Sequence, residues 1–169
     1  MPVSSFVDSP ARLVITLCIG RVTLKEITAT FSEIRNHPGF HPDFRQLSDV
    51  SLASSIPLRF PDLYHLQQAC DPFSNQGKRA VVAPDAVPFG LSRMYQLIVN
   101  SPNFEVFRSL PDALSFLEWN GTLLEGVIRD LLVQKNVSVP EKSPIHAAAE
   151  KPASDFVEFI NRLKKATSA

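Results

Sequence analysis

Phe89, Gly90 and Arg93 stand close behind Pro84-Asp85 in "VVAPDAVPFGLSRMYQLIVN" (81–100), where an apolar run gives way to a helical pattern. An aromatic ring, a glycine that lets a ligand approach the backbone, and a guanidinium that can grip an anion are the parts of a small binding rim. The plainer reading of the same residues is a helix packed closely at Gly90, with Arg93 paired to Asp49 or Asp85. His37 and His41 lie four apart with Asp43 nearby, a spacing that could hold zinc on a helix. Pro38, Gly39 and Pro42 exclude a helix there, so we read a loop and no metal site. His65 reads as a surface helix residue and His146 as part of a linker.

Nucleophile chemistry finds less support. There is no G-x-S-x-G elbow, and no His and Asp stand at spacings that suggest a triad. Six glycines in the whole chain leave no loop that cradles phosphate, and Ser92 beside Arg93 is one hydroxyl near one cation. We expect no catalytic residue, no cofactor and no enzyme activity. Tyr95 and Trp119 read as core or interface aromatics.

The totals set the frame for these residues. With 169 residues, 44% hydrophobic and 20% charged, the chain reads as a soluble globular domain with an appendage. Seventeen basic side chains balance 17 acidic ones, which argues against a nucleic-acid partner. Apolar segments such as "LVITLCI" (13–19) are too short to span a bilayer, and the N-terminal residues do not resemble a signal peptide. Cys18 and Cys70 have no framework spacing and suit two packed thiols in a reducing cytoplasm.

Alternating strand and helix patterns must position any site. "VSSFV" predicts a short edge strand, joined through Asp8-Ser9-Pro10 to a strand over 12–19 that is buried on both faces and ended by Gly20. Thr23 and Glu26 make a capping box ahead of a helix with Leu24, Ile27, Phe31 and Ile34 on one face. A second parallel strand is expected over 44–50, followed by a helix from about Pro61 to Ala69 with Leu63, Leu66 and Cys70 inward. Strand 79–83 leads into a helix with Leu91, Met94, Leu97 and Ile98 on one side. Strand 104–107 is followed by a helix capped by Ser109 and Asp112, with Ala113, Leu114 and Leu117 inward. Such alternation predicts an α/β layer structure with a mostly parallel sheet.

Beyond it, Thr122 and Glu125 open a further helix (122–135) whose apolar stripe holds Leu124, Val127, Ile128 and Leu131. Residues 136–153 carry three prolines and no periodicity, as a linker would. Residues 154–169 read as an amphipathic helix with Phe156, Phe159, Ile160 and Leu163 on one face. Two apolar stripes of this kind favour self-association, and we expect a homo-oligomer.

The order of elements, Gly20-x-Val22-Thr23, "HPGFHPDFRQLSDVS" (37–51), "FGLSRMY" (89–95) and "VFRSLPDALSFLEW" (106–119) resemble the SpoIIAA-like branch of the STAS superfamily over residues 3–120. The resemblance implies residues 1–121 as a bacterial, cytoplasmic, non-catalytic domain. Its small sheet would be mostly parallel after an initial antiparallel hairpin, and backed by helices. It also implies an anti-sigma-factor-antagonist-like role, switched by phosphorylation in an Asp-Ser-Ser-Gly-like turn at a helix N-terminus. The corresponding region, "SDVSLASSIPLRF" (48–60), offers Ser51, Ser54 and Ser55 but no glycine. CRAL-TRIO lipid carriers have been compared with domains of this architecture, which implies a second role as a carrier of a lipid or other hydrophobic molecule.

In open α/β sheets ligands lie beyond the carboxyl ends of the strands. The expected site is therefore a rim of Asp49, Ser51, Asp85, Phe89, Gly90 and Arg93, taking a protein partner or a small apolar or anionic ligand.

Overall fold

The computed structural model describes residues 2–119. The chain divides into two compact units, Met1–Leu117 and Glu118–Ala169, and the first carries every strand and helix described below. The expected elements at 122–135, 136–153 and 154–169 lie outside the described residues, and with them the proposed oligomer contacts.

Five strands form one sheet in the order β1-β2-β3-β4-β5: Val3–Asp8, Leu13–Arg21, Arg45–Ser55, Arg79–Val82 and Phe104–Phe107. β1 is antiparallel to β2, and every later neighbour is parallel. An initial hairpin followed by a parallel sheet is the arrangement that the STAS resemblance implies. The hairpin closes as expected at Asp8, whose carboxylate accepts the Ala11 N–H at 3.0 Å. β2 is buried on both faces: Leu13, Val14 and Ile15 have almost no exposed surface.

Four helices follow in turn: α1 (Leu24–Asn36), α2 (Phe60–His65), α3 (Ala86–Val99) and α4 (Leu110–Phe116). At α1 the Glu26 carboxylate reaches back to accept the Thr23 N–H at 2.8 Å and the Thr23 hydroxyl at 2.9 Å, which satisfies a donor the helix leaves unpaired. α1, α2 and α3 pack on the sheet face that carries Val14, Cys18, Val50 and Val106. α4 lies on the other face, where its Phe116 ring meets that of Phe107 at 5.4 Å, because successive side chains of a strand point to opposite sides. Its N-cap is as expected, Ser109 Oγ accepting the Asp112 N–H, with Ala113, Leu114 and Leu117 buried.

Three expectations are corrected. β2 does not end at Gly20; it runs to Arg21 through shifts of register, with Gly20 at φ +69 in the left-handed region that glycine adopts freely. That extension pairs with Leu52, Ala53 and Ser55, so β3 continues five residues past 50. On α3 the inward residues are Leu91, Tyr95, Ile98 and Val99, whereas Met94 and Leu97 are exposed. Positions 91, 95 and 98 keep the i, i+4, i+7 spacing, and Met94 and Leu97 belong to the neighbouring stripe.

Candidate functional site

α2 does not stop at His65. It continues as a π-helical turn over Leu66–Cys70, closed by the Asp71 N–H donating to Leu66 O at 2.7 Å. The wider turn ends the helix over the sheet and delivers the Asp71 side chain into the core. There Asp71 Oδ1 accepts the Phe73 N–H at 3.0 Å, while Oδ2 accepts the Tyr95 hydroxyl at 2.6 Å and pairs with Arg79 Nη2 at 2.8 Å. Only 3% of the Arg79 side chain and 5% of the Asp71 side chain are exposed.

Arg79 opens β4, yet its side chain faces the helices. Its Nε donates to Gln46 Oε1 at 2.9 Å, and its guanidinium lies 4.7 Å from the centre of the Phe73 ring and 5.0 Å from that of Phe104. A buried arginine is tolerated only when its charge is matched and its donors are used. The carboxylate, the amide and the two aromatic faces meet that condition. Burial, and then the negative charge of Asp71, push the Tyr95 pKa well above its ordinary value, so Tyr95 stays a hydroxyl donor.

Above this network, between the sheet and α1–α3, lies a cavity of about 120 Å³. Phe31, Leu63, Leu66, Leu91 and Tyr95 form apolar walls, and among the described residues Arg79 is the one charged residue that lines it. Its floor is polar. Thr16 on β2 sits beside Ser48 on β3, and Gln46 sits beside Arg79 on β4, all on one face. Thr30 of α1 also lines the cavity. The hydroxyls of Thr16 and Thr30 are buried and find no hydrogen-bond partner among the described residues. Thr28, two residues from Thr30, instead donates to Lys25 O at 2.9 Å. The Cys18 thiol on the same face is pushed up to about 12, first by burial and then by the charge of Asp49, and remains protonated.

The residues expected at the carboxyl rim are arranged differently. Asp49 Oδ1 accepts from the Ser51 N–H at 2.8 Å and from the Ser51 hydroxyl. Ser51, Ser54 and Ser55 all lie in β3, and the next helix begins at Phe60. Asp85 precedes α3 as its exposed N-cap, without a side-chain bond to the helix. Phe89 lies under the Arg108 guanidinium, 4.0 Å from the ring centre, and Arg108 also donates to Pro84 O at 3.0 Å. A Cβ at Gly90 would meet nothing within 4 Å, so no close packing requires that glycine. Arg93 pairs neither with Asp49 nor with Asp85; its Nη1 donates to Glu105 Oε1 at 2.9 Å and to Gln96 Oε1 at 2.5 Å. The structure thus gathers Asp49 with Ser51 and Phe89 with Arg108, and ties Arg93 to β5. Around His37, His41 and Asp43, as elsewhere among the described residues, no metal-ligating cluster forms.

The buried network of Asp71, Arg79, Tyr95 and Gln46 was missed, as were the hydroxyls of Thr16 and Thr30. A signal existed. Once β2, β3 and β4 are paired, the period of two puts residues 16, 46, 48 and 79 on the helix-covered face, where apolar side chains are expected.

Compared by sequence, the chain matches no family model and no curated protein. Compared by structure, it is similar to an uncharacterized protein of the DUF3478 family with a SpoIIAA-like fold from Shewanella loihica PV-4. The identity is 15% and the TM-score 0.48, over 68% of this chain and 93% of that one. The fold described here rests on this chain's own strand order and register. No helix among the described residues is long and apolar enough to cross a membrane.

Proposed function

We propose that the α/β domain is a non-catalytic binding module that takes up a small, predominantly apolar molecule between its sheet and α1–α3. The cavity carries this reading: about 120 Å³ of space walled by Phe31, Leu63, Leu66, Leu91 and Tyr95. Protein interiors are packed to the density of organic crystals, so a void of this size forgoes contacts that a ligand could restore. Its size suits a ligand of roughly ring dimensions, since an apolar cavity of ~150 Å³ takes up benzene. A long acyl chain would need more room than the cavity offers. An anionic ligand is disfavoured there, because Arg79 is already matched by Asp71.

Two measurements test the reading. Native mass spectra of freshly purified protein, beside a denatured control, are expected to show a small adduct that is lost on denaturation. Titration with benzene, followed by amide NMR, is expected to shift signals of residues along the cavity, such as Thr16, Thr30 and Leu91. A bare mass together with no shift up to saturating benzene removes the binding module.

A further inference from the structure

We infer that α3 is a self-association helix: two copies of this chain pair through Val87, Gly90, Met94 and Leu97, antiparallel about a two-fold axis opposite position 92. The inference is independent of the cavity.

Exposure supplies the first reason. Among the described residues, every large apolar side chain left exposed lies on α2 or α3: Phe60, Tyr64, Val87, Met94 and Leu97. The two helices pack against each other. α1, on the same sheet face, turns Lys25, Glu33 and Arg35 to solvent, as the outer side of a surface helix normally does. α3 packs Leu91, Tyr95, Ile98 and Val99 inward and is apolar on its outer side as well, where Val87 is 81% and Leu97 75% exposed. Arg93 is the one charged residue within that helix, and Glu105 matches it. A helix that is apolar on both sides is normally covered on both.

Spacing says what covers it. Val87, Gly90, Met94 and Leu97 follow one another at intervals of 3, 4 and 3 residues, the seam along which two helices pack. That order of intervals reads the same from either end. An antiparallel helix of identical sequence therefore sets Val87 against Leu97 of the second copy and Gly90 against Met94, so the patch is complementary to itself. Glycine inside a helix costs stability, and no close approach within the chain uses Gly90, because a Cβ there would meet nothing within 4 Å. In the pair, its missing side chain leaves the hollow that receives Met94. The five exposed side chains offer on the order of 400 Å² of apolar surface per copy, which puts the pair at the low end of specific interfaces, where association is weak and reversible.

The test is sedimentation equilibrium of the full chain from roughly 1 μM to 1 mM, the range in which small interfaces associate. A reversible monomer–dimer equilibrium is expected. Val87→Glu and Leu97→Lys each place a charge against an apolar residue at two layers of the seam and should weaken the dimer at least about tenfold. In the double variant the new carboxylate of one copy faces the new ammonium of the other at both ends. Dimerisation should then return to within about threefold of the parent chain. Both positions are exposed, so the circular dichroism of all three variants should match that of the parent. A parent chain that stays monomeric throughout overturns the inference. Association that neither single substitution weakens also overturns it, by assigning the contact to another surface. A double variant that stays dissociated overturns the antiparallel register, and the inference with it.

Discussion

The carboxyl rim and the floor beneath the helices are both polar regions of one sheet, and they use their polar groups in opposite ways. At the rim, Asp49 accepts from Ser51, Arg108 covers Phe89, and Arg93 meets Glu105 with 46% and 39% of the two side chains in solvent. Beneath the helices, a buried Arg79–Asp71 pair is satisfied from several sides, and the hydroxyls of Thr16 on β2 and Thr30 on α1 find no hydrogen-bond partner among the described residues. Burial decides what each arrangement is worth. Exposed ion pairs contribute little because water competes for them, whereas breaking a buried pair strands a charge. Polar residues beyond the strand ends mark where ligands lie in many open sheets, but here the buried hydroxyls without a partner among the described residues are those of Thr16 on β2 and Thr30 on α1.

The largest expected effect separates the two regions by stability. Arg79→Met keeps much of the side chain's bulk but leaves the Asp71 carboxylate buried without its counter-charge. It should cost about 3–5 kcal/mol. Arg93→Ala should cost at most about 1 kcal/mol, as the loss of a surface pair does. Urea unfolding would read both as shifts of midpoint at unchanged slope. A similar, small cost for the two substitutions breaks the comparison, because the buried pair would then be no better than the surface one.

Alkaline pH gives the next largest effect. The Cys18 pKa is raised from 9.0 to about 12, first by burial and then by Asp49. The native state therefore keeps a proton that the unfolded chain loses, and this contribution to stability is complete below pH 9 and lost progressively up to about pH 12. Tyr95 adds a loss of the same sign from about pH 10 upward, since burial, and then Asp71, raise it above its ordinary value of 10.0. Stability should fall by roughly 1.4 kcal/mol per pH unit for each group in its window. Cys18→Ala is expected to flatten the fall that begins near pH 9, whereas Arg93→Ala leaves its slope unchanged. An alkaline profile that Cys18→Ala does not alter would mean that this thiol is reached by water.

How much of this was legible in the sequence follows from the same contrast. The individual strands, the turn at Asp8-Ser9-Pro10 and the caps at Thr23 and Ser109 could be read because each depends on residues a few positions apart, whereas the antiparallel hairpin came with the STAS resemblance. Gly20 was misread as a stop, since a bulge and a strand end both call for a left-handed glycine, and only pairing with β3 distinguishes them. The floor could not be read in the same way. Asp71 and Tyr95 are separated by 24 positions, and Gln46 and Arg79 by 33. Their meeting depends on strand register and on a π-helical turn at Leu66–Cys70 that the apolar spacing of Leu63, Leu66 and Cys70 does not betray. Phe89 and Arg93 drew the eye because they are adjacent in sequence, and the structure sends them to different partners.

A smaller effect concerns the helix that covers the sheet. Thr30 is fully buried with no hydroxyl partner among the described residues, so Thr30→Val exchanges a polar atom for a methyl of nearly the same shape. The ligand-free protein should gain about 1 kcal/mol in urea unfolding. A loss of similar size would show that the hydroxyl is satisfied in solution and serves the fold itself.

Gly90→Ala is the smallest change and the one that separates rim from floor most cleanly. The residue is exposed inside α3, and a Cβ there meets nothing within 4 Å. Alanine in a helix interior is favoured over glycine by up to about 1 kcal/mol, because it loses less backbone freedom on folding. The variant should therefore unfold at slightly higher urea. If the ligand lies on the floor, its affinity for benzene should match that of the parent chain. If Gly90 is instead where a ligand approaches the backbone, the added methyl would weaken binding while the fold grows more stable. A gain in stability with a loss of affinity would move the site to the rim, and a gain in stability with affinity unchanged would keep it beneath the helices.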